Sequence, residues 1–189
     1  MKINRVVLPL VNGFEELEAI TIIDVLRRGG VEVILASLES ELIISGAHNI
    51  EIKAETTLEK LHTQKIDMVI LSGGWDALYH LGNNRTLKKL LLEMNEQRKY
   101  IVAIGEAPSL LAKFNLLKKC YTCHPAVQKE MKRQTNAHYT PECDFVLDDT
   151  ILTSKGVGTT LPFALALLQK LEGNTAYEIT KNQLLINTV

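Results

Sequence analysis

Residues 6–37, VVLPLVNGFEELEAITIIDVLRRGGVEVILAS, hold the pattern from which the fold is read. Val6 to Leu10 is a short apolar run without polar alternation, the mark of a strand buried on both faces. Asn12, with Glu15 three residues on, has the spacing of a capping box, so the segment from Glu15 to Arg28 is expected to be a helix. Gly29-Gly30 supplies its stop, and Val31 to Ser37 is a second doubly buried strand. Two strands with no polar face, joined by a helix, belong to a parallel sheet covered on both sides.

The same alternation continues outward. Ile66 to Ser72 and Tyr100 to Ile104 are further buried strands, and Thr86 to Arg98 is a helix between them. Leu42 to Ser45 and Ile50 to Lys53, separated by Gly46-Ala47-His48-Asn49, form an inserted hairpin. Ile151 to Ser154 is a late strand, and Leu161 to Leu171 a helix that tolerates Pro162 in its first turn. No repeat or linker interrupts the 189 residues, so residues 1–189 are expected to form one domain of α/β class with a mainly parallel central sheet.

Composition narrows the function classes. Hydrophobic residues make up 46% of the chain, enough for a substantial core. Twenty-one basic against 22 acidic residues leave a net charge of −1, with no basic field to attract nucleic acid. No segment reaches the roughly 18 apolar residues of a membrane span, and the first residues lack a signal-peptide pattern. Three cysteines, Cys120, Cys123 and Cys143, are an odd number and suit a reducing cytoplasm better than a disulfide framework.

Cys120-Tyr121-Thr122-Cys123-His124 matches a haem-attachment string, but residues 119–124 read as a strand, which sends the two thiols to opposite faces. Structural thiols are the better reading. On that strand His124 is a hydrogen-bonded histidine ahead of Pro125, sharing a face with Cys120 about 13 Å away. Lys155 to Thr160 lacks the remaining signature of a phosphate loop and reads as a tight turn. Ser72-Gly73-Gly74 ends a buried strand where open α/β sheets bind ligands, and its N–H groups are placed to face an oxyanion. Glu18, Thr21 and Asp24 share a polar stripe on the first helix. The histidines at 48, 62, 80, 124 and 138 show no paired ligand spacing, so neither metal nor cofactor is expected.

Taken together, Asn12 to Glu18, Asp24 to Gly30, Ser72-Gly73-Gly74, Cys123-His124-Pro125, His138-Tyr139-Thr140 and Ile151 to Thr159 resemble, in order and spacing, the ThiJ/PfpI superfamily, in the branch of the Parkinson-disease-associated deglycase. The resemblance spans nearly the whole chain. It implies a flavodoxin-like three-layer α/β/α sandwich, usually homodimeric, acting on methylglyoxal or on glycated thiols and amines, with roles in stress response. It also implies a cysteine nucleophile on a sharp strand-to-helix turn, assisted by a glutamate at Glu18 and a histidine at His124. Gly73 and Gly74 line the oxyanion side and Ala107 the pocket, where Glu106 stands in place of the family's usual small residue. Arg28 and His48 match positions that supply a small-anion site at the dimer interface.

In this chain the matching turn reads Ala103-Ile104-Gly105-Glu106-Ala107-Pro108, with glycine at the nucleophile position. Glycine cannot form a hemithioacetal, but it adopts a positive φ without a Cβ penalty. Three functions therefore stand open. One is a deglycase or glutathione-independent glyoxalase, if Gly105 replaces an original cysteine. The second is a dimeric, non-catalytic binding or chaperone-like pseudoenzyme. The third is a carboxylate-dependent lyase or hydrolase using Glu18 and Glu106.

Overall fold

The structure, a computed structural model, describes residues 4–62 and 65–186; the first three residues of the stretch read for a signal peptide lie outside it. In chain order it contains β1 (Arg5–Leu10), α1 (Glu16–Arg28), β2 (Glu32–Ser37), β3 (Ile43–Ser45), β4 (Glu51–Lys53), β5 (Thr56–Thr57) and β6 (Met68–Leu71). There follow α2 (Trp75–Asn83), α3 (Arg85–Glu96), β7 (Tyr100–Ile104), α4 (Pro108–Lys113), β8 (Cys120–Tyr121) and α5 (Pro125–Gln134). The chain ends with β9 (His138–Tyr139), β10 (Phe145–Asp148), β11 (Ile151–Ser154) and α6 (Thr160–Gln183).

Seven strands form the central sheet in the order β10-β11-β7-β6-β1-β2-β5. All its pairings are parallel except that of β10 with β11. Helix α1 packs against α6, and α2, α3 and α4 pack together, giving the three-layer sandwich the sequence implies. The apolar runs are central as expected: every residue of β6, and all but the first of β1 and β7, is buried. On α1, Ala19, Ile22, Ile23, Val25 and Leu26 face the core at helical spacing. The inserted hairpin is β3 with β4.

Three expectations need correction. Asn12 does not cap α1: Glu15 is the N-cap residue, with no side-chain cap bond, and Asn12 Oδ1 instead accepts the Ser45 N–H at 2.9 Å. The chain turns at Gly13, φ +85°, and this turn is occupied in holding the hairpin. Residues 119–124 are not one strand. Only Cys120 and Tyr121 are extended, pairing with β9 outside the main sheet, and His124 is the N-cap of α5 with Pro125 in its first turn. The face-sharing of His124 with Cys120 therefore does not arise. Finally, α6 continues past Leu171 to Gln183, kinked at Gly173, whose φ of +83° lets the helix change direction.

Strand order reverses beside β1: β2 lies on one side and β6 on the other. A crevice outside the carboxyl ends of the strands is the expected binding position in such a sheet. The loops after β1, β6, β7 and β11 all open there.

Candidate functional site

Each of those loops brings one part of a site. After β1 the first turn of α1 carries Glu18, which is 2% exposed although it bears an ionisable carboxyl. After β6 come Gly73 and Gly74, the latter with φ +113°. A Cβ on Gly74 would lie 2.1 Å from the Gly13 carbonyl oxygen, so glycine is required for the β6 turn to approach the β1 turn. After β7 come Gly105 and Glu106, and after β11 the 3-10 turn Val157–Thr159 closes the far wall.

The two glycine N–H groups do not face open space. Gly73 N–H donates to Glu18 Oε2 at 2.6 Å, and Gly74 N–H donates to Glu106 Oε2 at 3.2 Å. A Cβ on Gly73 would lie 2.5 Å from Glu106 Oε2 and 3.0 Å from Glu18 Oε2, so both carboxyl groups flank a single point. Gly105 has φ +65°; its N–H donates to the Ser154 carbonyl at 3.1 Å and its carbonyl accepts the His124 N–H at 2.8 Å. A Cβ there would stand 2.6 Å from Glu18 Oε1. The carboxyl of Glu18 thus fills the room that a side chain at 105 would enter.

His124 approaches from the start of α5, with Nδ1 3.7 Å from Glu106 Oε1. The same Nδ1 accepts the Ala126 N–H at 3.3 Å, which leaves Nε2 as the protonated nitrogen of the neutral ring. Ala107 is fully buried as the N-cap of α4 and does not line the cleft. His48 reaches the mouth of the cleft from the hairpin, where its Nδ1 lies 2.9 Å from Glu16 Oε2. Arg28 pairs with Asp24 at 2.6 Å at the other end of α1, about 18 Å along the helix from the first turn. Within one chain Arg28 and His48 do not meet.

Burial drives the acidity of the centre. Loss of solvent pushes Glu18 up to about 8; the Gly73 N–H opposes the rise, and the charges of Glu106 and Glu15 add to it. At neutral pH this side chain holds a proton and can donate one. The thiols offer nothing comparable. Burial pushes Cys123 up to about 12, in a small cluster with Tyr121, Val127 and Met131, and no cysteine lines the cleft. Donor atoms of Glu15, Glu16 and His48 lie within 4.8 Å of one another, as a metal would require. Both Glu16 oxygens, however, are already engaged by His48 and Ile50.

The cleft has a volume of about 660 Å³. Glu15, Trp75 and Asp76 stand in its wall beside Glu18, Glu106 and His124. In the sequence Glu15 reads only as a capping partner, and Trp75 and Asp76 belong to none of the motifs singled out there. The available signal was an aromatic and an acid directly after a Gly-Gly pair at a strand end, where ligands bind.

A profile of the DJ-1/PfpI family matches residues 4–170. The Arabidopsis thaliana "Protein DJ-1 homolog B" is 33% identical over 171 residues, 89% of this chain, which spans only 38% of that protein's length. The Caenorhabditis elegans "Glutathione-independent glyoxalase DJR-1.2" is 30% identical over 159 residues, covering 84% of this chain and 83% of the relative. The crystal structure of Drosophila melanogaster DJ-1beta superposes with a TM-score of 0.92 at 29% identity, covering 97% of this chain and 98% of the other.

Proposed function

Because the chain belongs to the DJ-1/PfpI family, we propose that its cleft converts a small 2-oxoaldehyde such as methylglyoxal by acid–base chemistry of Glu18 and Glu106, without a thiol. One observation carries this reading: a proton-bearing carboxyl and a second carboxyl converge on one point of a cleft that contains no sulfur.

The hydrate of methylglyoxal and lactic acid are isomers, so the reaction needs only proton movements. Glu106, as carboxylate, takes the proton from C1 of the hydrate while Glu18 donates its proton to the C2 oxygen, and an enetriol forms. Glu106 then returns its proton to C2 as Glu18 recovers one from a C1 hydroxyl, leaving 2-hydroxy acid. Glu106 is held at the start of α2 by the N-cap Gly74 N–H, which donates to its Oε2. His124, with its Nε2 proton, is positioned to steady the substrate oxygens.

The test is lactate formation from methylglyoxal by the protein as it stands, against Glu18→Gln and Glu106→Gln. Turnover should fall by about 100-fold or more in each variant. Turnover undiminished in either variant, or none in the parent protein, overturns the reading.

A second reading has its own support. The N–H groups that would stabilise an oxyanion are already engaged by Glu18 and Glu106, as suits a cleft that binds without turnover. In that case a carbonyl ligand should bind without being converted. Action on glycated thiols or amines, a stress-response role, a cytoplasmic location and assembly as a homodimer belong to the same proposal. They draw support from the family and, for the dimer, from apolar side chains exposed on α1 and the hairpin. No helix among the described residues is long and apolar enough to cross a membrane.

A further inference from the structure

A trough runs away from the cleft along the outer face of α2. Trp75, Asp76, Tyr79, His80 and Asn83 fall on that face at helical spacing and are all exposed, while Ala77 and Leu81 are buried on the other. Two adjoining hollows border the face, of about 480 and 230 Å³. Asn12, Trp75 and Asp76 line the first, Val11, Leu38 and Glu39 line the second, and Tyr79 and His80 belong to both. Since Trp75 and Asp76 also stand in the cleft wall, the trough starts there and passes the carboxyl ends of β1 and β2.

Its chemistry is selective. Trp75 and Tyr79, one helical turn apart, are 58% and 72% exposed and keep aromatic surface in water. His80 meets the Tyr79 ring edge-on, with centroids 5.6 Å apart. Trp75 Nε1–H and the Tyr79 hydroxyl make no hydrogen bond among the described residues, and Asn12 engages only its Oδ1, so each has a donor to offer. Asp76 and Glu39 supply carboxylates outside any ion pair among those residues, and no lysine or arginine lines the trough. An occupant must therefore bring flat apolar surface, hydrogen-bond acceptors and positive charge. A proline-rich segment brings the first two: its rings pack on aromatic faces, its proline nitrogens carry no hydrogen, and the polyproline helix leaves every carbonyl free to accept. An added β-strand does not fit, because the trough follows strand ends and not a sheet edge. A helix does not fit either, since its backbone carbonyls are already bonded.

We propose that the α2 trough docks a proline-rich, basic segment of a partner protein, with prolines on Trp75 and Tyr79 and lysine or arginine side chains at Asp76 and Glu39. The carboxylates select basic segments over acidic ones, and the aromatic pair selects proline-rich segments over flexible ones of equal charge. This docking is separate from the chemistry of Glu18 and Glu106 and rests on none of it.

Trp75 is the single tryptophan of the chain, so its emission reports occupation of the trough, and calorimetry measures the affinity independently. Peptides of Pro-Pro-Arg, Pro-Pro-Glu and Gly-Ser-Arg repeats, equal in length, are titrated into the full chain at constant ionic strength. The Pro-Pro-Arg peptide should change the emission saturably and bind about tenfold or more tightly than either control. Tyr79→Ala should weaken it about tenfold, and Asp76→Asn and Glu39→Gln about threefold each. All three residues are exposed, and circular dichroism checks that the variants fold. Glu18→Gln should bind the peptide as the parent does, which separates the trough from the depth of the cleft. Either control binding as tightly as Pro-Pro-Arg, affinity unchanged by Tyr79→Ala, or binding lost in Glu18→Gln overturns the proposal. So does sedimentation in which Tyr79→Ala abolishes self-association, because a second copy would then cover the trough.

Discussion

Gly105 and Glu18 are coupled through a single crowded contact. At φ +65° glycine is at ease, whereas an L-residue is strained, and a Cβ would also stand 2.6 Å from Glu18 Oε1. Gly105→Ala should therefore cost about 1–3 kcal/mol in urea unfolding, since Glu18 must retreat from its 2.6 Å bond to Gly73 as well. Unchanged stability would show that the turn relaxes without cost. Glu18 also sets a pH dependence. Its folded pKa of about 8 lies above the ordinary 4.5, so between these values the native chain holds a proton that the unfolded chain has lost. Stability should fall as pH rises through that window, by as much as about 5 kcal/mol, and level off above pH 8. Glu18→Gln should flatten the profile, which unfolding curves at pH 5 and pH 8 would reveal. Glu18, Gly105, Glu106 and His124 stand out in the sequence by the motifs that carry the family resemblance, although His124 reads there as part of a strand and in fact opens α5. Their geometry was not legible there: the occupation of the Gly73 and Gly74 N–H groups by carboxyls depends on how four separate loops converge, which no local pattern records.

Among the elements, the hairpin β3–β4 is held to α1 by one buried acid. Glu16, 2% exposed, accepts the N–H groups of His48 and Ile50 and contacts His48 Nδ1. Burial alone would raise its pKa, but the hydrogen bonds from His48 and Ile50 prevail and lower it. The Glu16 hydrogen bond raises that of His48 in turn. A lowered carboxylate stabilises the fold above its ordinary 4.5 and is lost as pH falls through its folded value. A raised histidine stabilises below its ordinary 6.5 and is lost as pH rises through its folded value. The clamp is thus fully engaged between these limits, and hydrogen exchange over residues 43–53, taken relative to its intrinsic rate at each pH, should be slowest there. Glu16→Ala should cost about 2–3 kcal/mol and remove this minimum, because two N–H groups lose their acceptor. The hairpin, β1, β2, β7 and β11 were legible as apolar runs bounded by glycine or polar turns. β8 and β9 were not: strands of two residues have no period to detect, and the apolar spacing of 119–124 imitated a longer one. Asn12 misled for a related reason, since its spacing fits a cap while its side chain bonds to the hairpin.

At the scale of the whole molecule, the outer stripe of α1 bears on assembly. Leu17 and Ile20 are 60% and 41% exposed, and Asp24 and Arg28 continue the same helical stripe as an ion pair. Ile43 and Ile50, 60% and 50% exposed, lie in the hairpin segment that Glu16 binds to the start of the helix. A stripe that is apolar at one end and paired in charge at the other can meet its own copy across a two-fold axis, as an isologous interface requires. A stable interface of this kind buries about 1,200–2,000 Å² in total. Sedimentation should therefore show a dimer at micromolar concentration, and Leu17→Glu with Ile20→Lys should give a folded monomer. Arg28 and His48, at opposite ends of α1 in one chain, would approach each other only across such an interface, so an anion site built from both should vanish in the same double variant. Because Glu15 and His48 also stand at the mouth of the cleft, dissociation should alter the Trp75 emission even where no ligand is added. A parent protein that sediments as a monomer would remove both consequences at once and leave the exposed leucine and isoleucines to another partner.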